Sequence, residues 1–117
     1  MTGSTGYHAG LSAEQAVAKA YHSRGCTIRA ERYRGGAGEI DLIADNGESV
    51  IFIEVKKSKS HAAAAARLTS RQIQRIMGSA AEFLAGEPAG QDTNARFDVA
   101  LVDAQGRIEI LENAVCT

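Results

Sequence analysis

Hydrophobic positions in this chain switch between two spacings, and each switch marks an element boundary. Over residues 12–24, Val17, Ala20 and Tyr21 form a helical stripe, with Ser12 and Gln15 as a capping box at its start and Gly25 as its stop. Residues 27–34 alternate, Ile28, Ala30 and Arg32 against Arg29, Glu31 and Tyr33, which predicts a strand. Gly35-Gly36-Ala37-Gly38 reads as a flexible connection into two apolar runs that flank Asn46-Gly47, a strong hairpin signal. Residues 58–66 are a polar, then alanine-rich crossover. From Thr69, with Gln72 as its capping partner, the residues Ile73, Ile76, Met77, Ala80, Phe83 and Leu84 give a second helical stripe. Residues 86–94, which hold the only proline, Pro88, read as a loop, and 95–102 and 107–111 as two further strands. The order α-β-β-β-α-β-β predicts an α/β domain with a central mixed sheet flanked by helices, because the long crossover lets the chain return parallel. Residues 1–10, rich in Gly, Ser and Thr, are expected to form a flexible tail, and 11–117 a single domain.

The hairpin carries charge where a purely structural strand would carry none. With a two-residue turn at Asn46-Gly47, Ile43 faces Val50, Asp41 faces Phe52 and Glu39 faces Glu54. Glu39, Asp41, Glu54 and Lys56 then share one face, and Ile40, Leu42, Ala44, Ile51, Ile53 and Val55 share the other. Asp41 and Glu54 become diagonal neighbours within reach of one ion. A solvated charged face is the plainer reading. Against it, Ile43 and Phe52 lie on the charged face, and 50–53 is a continuous apolar run suited to a strand covered on both sides. Carboxylates in such a place are costly unless paired or metal-bound. Three carboxylates and a lysine on a partly covered face have the make-up of a divalent-cation site with a cationic helper.

Composition sets the limits. A chain of 117 residues, 44% hydrophobic and 23% charged, is an ordinary single globular domain that needs no metal or disulfide staple. Cys26 and Cys116 form neither a CxxC nor a Cys/His cluster, and read as two reduced thiols of a cytoplasmic protein. No stretch approaches the roughly 18 apolar residues of a membrane span, and no secretory leader is evident. The net charge is −1, but residues 1–76 hold 11 of the 13 Lys and Arg with 7 of the 14 acids. That asymmetry suits a basic face for a polyanionic partner.

Other charged residues have two readings each. Glu14, in the first turn of the first predicted helix, is explained by the helix dipole alone. Arg67, Arg71 and Arg75, spaced by four, line one face if the second helix starts early, as a phosphate-contacting stripe or as a solvated surface. Arg32, Arg34, Lys57 and Lys59 cluster at the same end of the hairpin. His8, His22 and His61 lack ligand spacing, and the Gly35–Gly38 cluster lacks the spacing of a phosphate-cradling loop.

Asp41, a hairpin and Glu54-x-Lys56 resemble the PD-(D/E)xK nuclease superfamily. More narrowly, Gly38-Glu39-Ile40-Asp41-Leu42-Ile43-Ala44 followed by Phe52-Ile53-Glu54-Val55-Lys56 resembles the uncharacterised YraN-like family, related to Holliday-junction resolvases. Glu14 with Ala18 and Tyr21, Arg32-Tyr33-Arg34, 81–84 and Arg96-Phe97-Asp98-Val99 extend the likeness over roughly residues 10–115. Ala13 stands where that family usually has Gly, and Lys57-Ser58 replace its common Thr-Arg. The resemblance implies a restriction-endonuclease-like fold and an endonuclease that hydrolyses nucleic-acid phosphodiesters with Mg²⁺ or Mn²⁺, structured or branched DNA being the expected substrate. It implies Glu14, Asp41, Glu54 and the Val55 backbone carbonyl as metal ligands, Glu39 as a further candidate, and Asp41, Glu54 and Lys56 as the catalytic set. As a cation among carboxylates, Lys56 suits charge stabilisation better than general-base work. Junction resolvases cut in pairs, so a homodimer is compatible with the likeness. The rival reading is a nucleic-acid-binding or scaffold module that keeps the fold without cleaving.

Overall fold

The computed structural model describes residues 5–114, with side chains from residue 12 onward. Helix α1 (Thr5–Ser23) precedes five strands: β1 (Thr27–Arg34), β2 (Glu39–Asp45), β3 (Val50–Lys57), β4 (Ala95–Val102) and β5 (Ile108–Leu111). They form one sheet in sequence order. All neighbours pair antiparallel except β3 and β4, which run parallel. The crossover between those two holds α2 (His61–Ala65), α3 (Ser70–Ala85) and a 3-10 turn (Gly90–Asp92). This is the predicted mixed sheet flanked by helices, compatible with a restriction-endonuclease-like fold, with α2 as a one-turn addition inside the crossover.

Each face of the sheet has its own core. Ile43, Phe52, Phe97 and Val99 pack against Ile76, Ala80 and Leu84 of α3. Leu42, Ile51, Ile53 and Ala100 pack against Ala13, Val17 and Tyr21 of α1. A fully buried aliphatic or aromatic side chain contributes roughly 1.5–3 kcal/mol, so two covered faces hold the strand register firmly. Thr69 caps α3 as predicted: its Oγ1 accepts the Gln72 N–H at 3.1 Å, and Gln72 Oε1 accepts the Thr69 N–H at 3.1 Å. Ser60 caps α2 by accepting the Ala63 N–H at 3.1 Å, and the alanine run buries Ala64.

The structure departs from the sequence reading in four places. First, α1 runs through Ser12 instead of starting there. Glycine inside a helix costs only about 1 kcal/mol against about 3 for proline, and residues 5–12 contain no proline. Residues 1–4 of the expected tail, and Cys116, lie outside the described residues; Cys26 is buried with a free thiol. Second, the β2–β3 loop has four residues, so Asp45 pairs with Val50 and Ile43 with Phe52. Side chains build that longer loop: Asn46 Oδ1 accepts the N–H groups of Glu48 and Ser49 at 2.8 Å each, and Asp45 Oδ1 accepts that of Gly47 at 2.7 Å. The slip amounts to two residues, so the faces survive while the partners change.

Third, Ile40 joins Ile43 and Phe52 in the α3-side core, although strict alternation assigns it to the other face. Its partner Tyr33 does the same. Between them the alternation breaks at Arg32, whose φ is +55°, a left-handed conformation unusual for a residue with a side chain. A bulge between Ile28 and Ala30 gives β1 an earlier break. Fourth, α3 starts at Ser70, so Arg67 precedes the helix, and Arg67, Arg71 and Arg75 do not form one helical stripe.

Candidate active site

Hydrogen bonding between β2 and β3 ends at the pair Leu42 and Ile53. Asp41 and Glu54 come next, now directly opposite each other instead of diagonal. Asp41 Oδ2 accepts the Val55 N–H at 2.8 Å and so replaces the backbone acceptor that β2 no longer offers. The Val55 carbonyl leaves the strand on the same side as its N–H, towards β2. Glu54 is 9% exposed, and its Oε2 lies 3.3 Å from Lys56 Nζ.

Burial, and then the neighbouring Asp41 charge, pushes the Glu54 carboxyl up, to about 8. Burial also raises Asp41, against the lowering effect of the Val55 N–H. The two carboxyls oppose each other closely enough for each to shift the other. With its carboxyl raised to about 8, Glu54 holds its proton at neutral pH beside Asp41.

Glu14 reaches this place from α1. Burial raises its carboxyl, with the Asp41 charge as the next cause, while its Oε1 lies 3.4 Å from Arg32 Nε. Arg32 stands opposite Asp41 in the β1–β2 register, so its left-handed backbone sits beside the carboxyl pair. Among the described residues no three His, Cys, Asp or Glu side chains gather into a finished metal cage. The donors that do converge are hard oxygens on a carboxyl pair with an adjacent carbonyl. Mg²⁺ keeps several waters and takes one or two protein carboxylates, so this donor set fits Mg²⁺ or Mn²⁺.

Two hollows open beside the pair. One, of about 250 Å³, is lined by Gly38, Glu39, Asp41, Glu54, Gln72, Arg75 and Ile76. The other, of about 180 Å³, is lined by Ala13, Glu14, Val55, Lys56, Lys57 and Arg67. Glu39 is exposed at the rim of the first. Of the expected basic residues, Arg75 enters the first hollow and Lys57 and Arg67 the second. Arg34 ends β1, and Lys59 follows β3. Arg71, exposed in the first turn of α3, lines neither hollow.

Ion pairing separates these cations from the rest. Arg24, Arg29, Arg96 and Arg107 are each neutralised by an acid. Among the described residues, Arg34, Lys57, Lys59, Arg67, Arg71 and Arg75 have no carboxylate partner within 4.0 Å. Unpaired cations thus gather around the carboxyl pair and on the segments that lead to it.

The glycine segment between β1 and β2 is anchored, contrary to its sequence reading. Gly36 N–H donates to both oxygens of Glu82, at 3.1 and 2.9 Å, and Ser79 Oγ donates to the Gly38 carbonyl at 2.6 Å. A Cβ at Gly35 would lie 2.4 Å from Ser79 Oγ, and one at Gly78 would lie 2.8 Å from the Ala37 Cβ. The glycines are there because strand and helix touch, which fixes the start of β2 two residues before Asp41. Ser79 and Glu82 are residues that sequence reasoning missed; the adjacent small pair Gly78-Ser79 was the available signal.

A UPF0102 protein of Cereibacter sphaeroides (strain ATCC 17029) is 66% identical over 114 residues, covering 97% of each chain. One from Roseobacter denitrificans is 52% identical over 113 residues, 97% of this chain and 88% of its own. One from Dinoroseobacter shibae is 42% identical over 104 residues, 89% of this chain and 78% of its own. The model of the uncharacterised protein family UPF0102 matches residues 13–102, from the α1 face that carries Glu14 to the end of β4. The chain therefore belongs to the uncharacterised protein family UPF0102.

Proposed function

We propose that this protein is a Mg²⁺- or Mn²⁺-dependent phosphodiesterase of the PD-(D/E)xK type, an endonuclease acting on structured or branched DNA in the cytoplasm. The observation that carries the reading is the carboxyl pair of half-buried Asp41 and buried Glu54, with Lys56 Nζ 3.3 Å from Glu54. Facing carboxyls, one of which keeps its proton when alone, are a place where a divalent cation displaces that proton and both charges are satisfied. Asp41, Glu54 and the Val55 carbonyl would hold the cation, with Glu14 as a further carboxylate once it leaves Arg32. When bound, the cation supplies Lewis-acid polarisation of the phosphate and a more acidic water.

The remaining roles belong to the chain. Asp41 stays fixed by the Val55 N–H, so one ligand is preorganised. Lys56 donates to the oxygen on which charge develops, an interaction that strengthens in the transition state. Glu39 sits at the mouth as a water-bridged candidate. The unpaired Arg34, Lys59, Arg71 and Arg75 hold backbone phosphates. Two copies side by side would let both strands of a junction be cut.

Calorimetric titration with Mn²⁺ and cleavage assays on branched, flapped and single-stranded DNA and on RNA test the reading. Wild type is expected to bind one or more cations and to cut at least one substrate. Asp41→Ala and Glu54→Ala should lose cation binding, and Lys56→Ala should lose about 10²–10³ in rate with cation binding kept. Nucleic-acid binding without cleavage under every cation would replace the enzyme by a binding module. Equal Mn²⁺ binding by wild type and Asp41→Ala would remove the metal site.

A further inference from the structure

The second hollow has a different chemistry from the first. Along β3, Glu54 faces the acidic hollow, while Val55, Lys56 and Lys57 line the next one with Arg67. Arg67 donates from Nη1 to the Lys57 carbonyl at 2.8 Å, which ties the loop before α3 to the end of β3. That bond uses one corner of the guanidinium and leaves its other N–H groups directed elsewhere. Lys57 has no ion pair among the described residues, and the only acid lining the hollow, Glu14, is engaged by Arg32 at 3.4 Å. Two cations with no carboxylate partner among the described residues, and the Lys56 ammonium, therefore border a cavity of about 180 Å³ with room for a tetrahedral oxyanion. An Arg fork beside a Lys suits phosphate.

We infer that Lys57 and Arg67 form a phosphate subsite of their own, separate from the carboxyl pair, which receives the phosphate neighbouring the one to be cleaved. Its existence rests on the hollow; its role rests on the phosphodiester reading. Val55, whose carbonyl is a proposed cation ligand, and Lys57 are two apart on β3, separated by roughly 6.6 Å, comparable to the step between successive phosphates on an extended nucleic-acid strand. A strand with one phosphate at Asp41–Glu54 thus brings the next towards Lys57 and Arg67. The subsite fixes where along the strand the scissile bond falls, and the hydrolysed substrate is a strand with a phosphate beside that bond.

The test has two arms, both without added divalent cation. In the first, inorganic phosphate is titrated while backbone amide resonances are followed. Saturable shifts at Val55–Ser58 and Arg67 are expected, retained in Asp41→Asn and weakened at least tenfold in Lys57→Gln/Arg67→Gln. Shifts that are absent, that centre elsewhere, or that persist in the double variant would overturn the subsite. In the second arm, single-stranded DNA binds Asp41→Asn over a range of salt concentrations. Adding Lys57→Gln should make the slope of log K against log salt shallower by about 0.7, the value for one lost phosphate contact on a single strand; an unchanged slope overturns the proposal. Cleavage with no phosphate site would sink the subsite alone, whereas a phosphate site without cleavage under any cation would sink the enzyme reading alone.

Discussion

Asp41 and Glu54 face each other across strands that have stopped pairing, and the proton that Glu54 holds makes the metal-free protein sensitive to pH. Glu54 is raised on folding, so the folded state holds its proton more tightly than the unfolded chain does. The associated stability is fully present below the unfolded carboxyl value near 4.5 and is lost as pH rises through about 8. The metal-free protein should therefore lose on the order of a few kcal/mol between about pH 5 and 8. Thermal melts across that range should show Tm falling for wild type, a flatter profile for Glu54→Gln, and a flatter profile again with saturating Mg²⁺. A wild-type Tm that stays level or rises over this range would contradict the protonated, buried Glu54. The charged cluster itself was legible in the sequence, because period-two alternation survives a slip of two. Its exact contacts were not, because they depend on Asn46 and Asp45 using their side chains to lengthen the loop. The break at Arg32 is likewise a backbone choice that no residue type announces.

At the scale of elements, the junction between the β1–β2 turn and α3 controls the site from behind. Gly35 and Ser79 touch so closely that a methyl group has no room, with Ser79 Oγ at 2.4 Å and Cα at 3.1 Å from the added carbon. Gly35→Ala should cost about 1–3 kcal/mol by overpacking. For a domain of this size that lowers Tm by roughly 5–20 °C, measurable by calorimetry. It should also weaken Mn²⁺ binding by moving the start of β2, an effect that simple loss of stability at a remote site would not give. A Tm within about 2 °C of wild type, well below the shift expected from overpacking, would mean the turn gives way freely. The second helix was readable because Thr69 and Gln72 announce its cap and six apolar residues its face. The same cap ruled out the arginine stripe, since a helix that starts at Ser70 cannot include Arg67. The length of α1 was unreadable because neither Ser12 nor the glycines before it compel a helix to begin.

At the scale of the whole molecule, the fold was legible to the level of element order and mixed pairing. Each strand had a distinct period, and the crossover was too long for a hairpin. What ties the layers together was not legible. Tyr21 OH donates to Asp98 Oδ2 at 2.7 Å, and both side chains are buried. Arg96 and the Asn113 N–H also donate to Asp98, so a fully buried acid is satisfied from three directions. Burial and the Asp98 carboxylate push the Tyr21 phenol well above its usual value. Tyr21→Phe keeps the ring and removes one donor from a buried charge, so it should cost about 1–3 kcal/mol in chemical denaturation with an unchanged m-value. A loss below 0.5 kcal/mol, under the usual worth of even a neutral hydrogen bond, would show that the other donors suffice.

The Tyr21–Asp98 bond also spans 77 residues, which places the site in time as well as in space. During synthesis, the carboxyl pair on β2 and β3 is complete long before β4 exists. The helix that delivers Glu14 has no Asp98 to fasten to until the chain has been extended past residue 98. Closing contacts over such a separation is slow compared with forming a hairpin. A nascent chain on the ribosome therefore carries the hairpin chemistry without the docked helix, next to messenger RNA and ribosomal RNA rich in phosphodiesters. The contact that fastens the helix carrying Glu14 therefore forms after the hairpin, and on the phosphodiesterase reading proposed above the third carboxylate joins the other two only once the chain has reached β4.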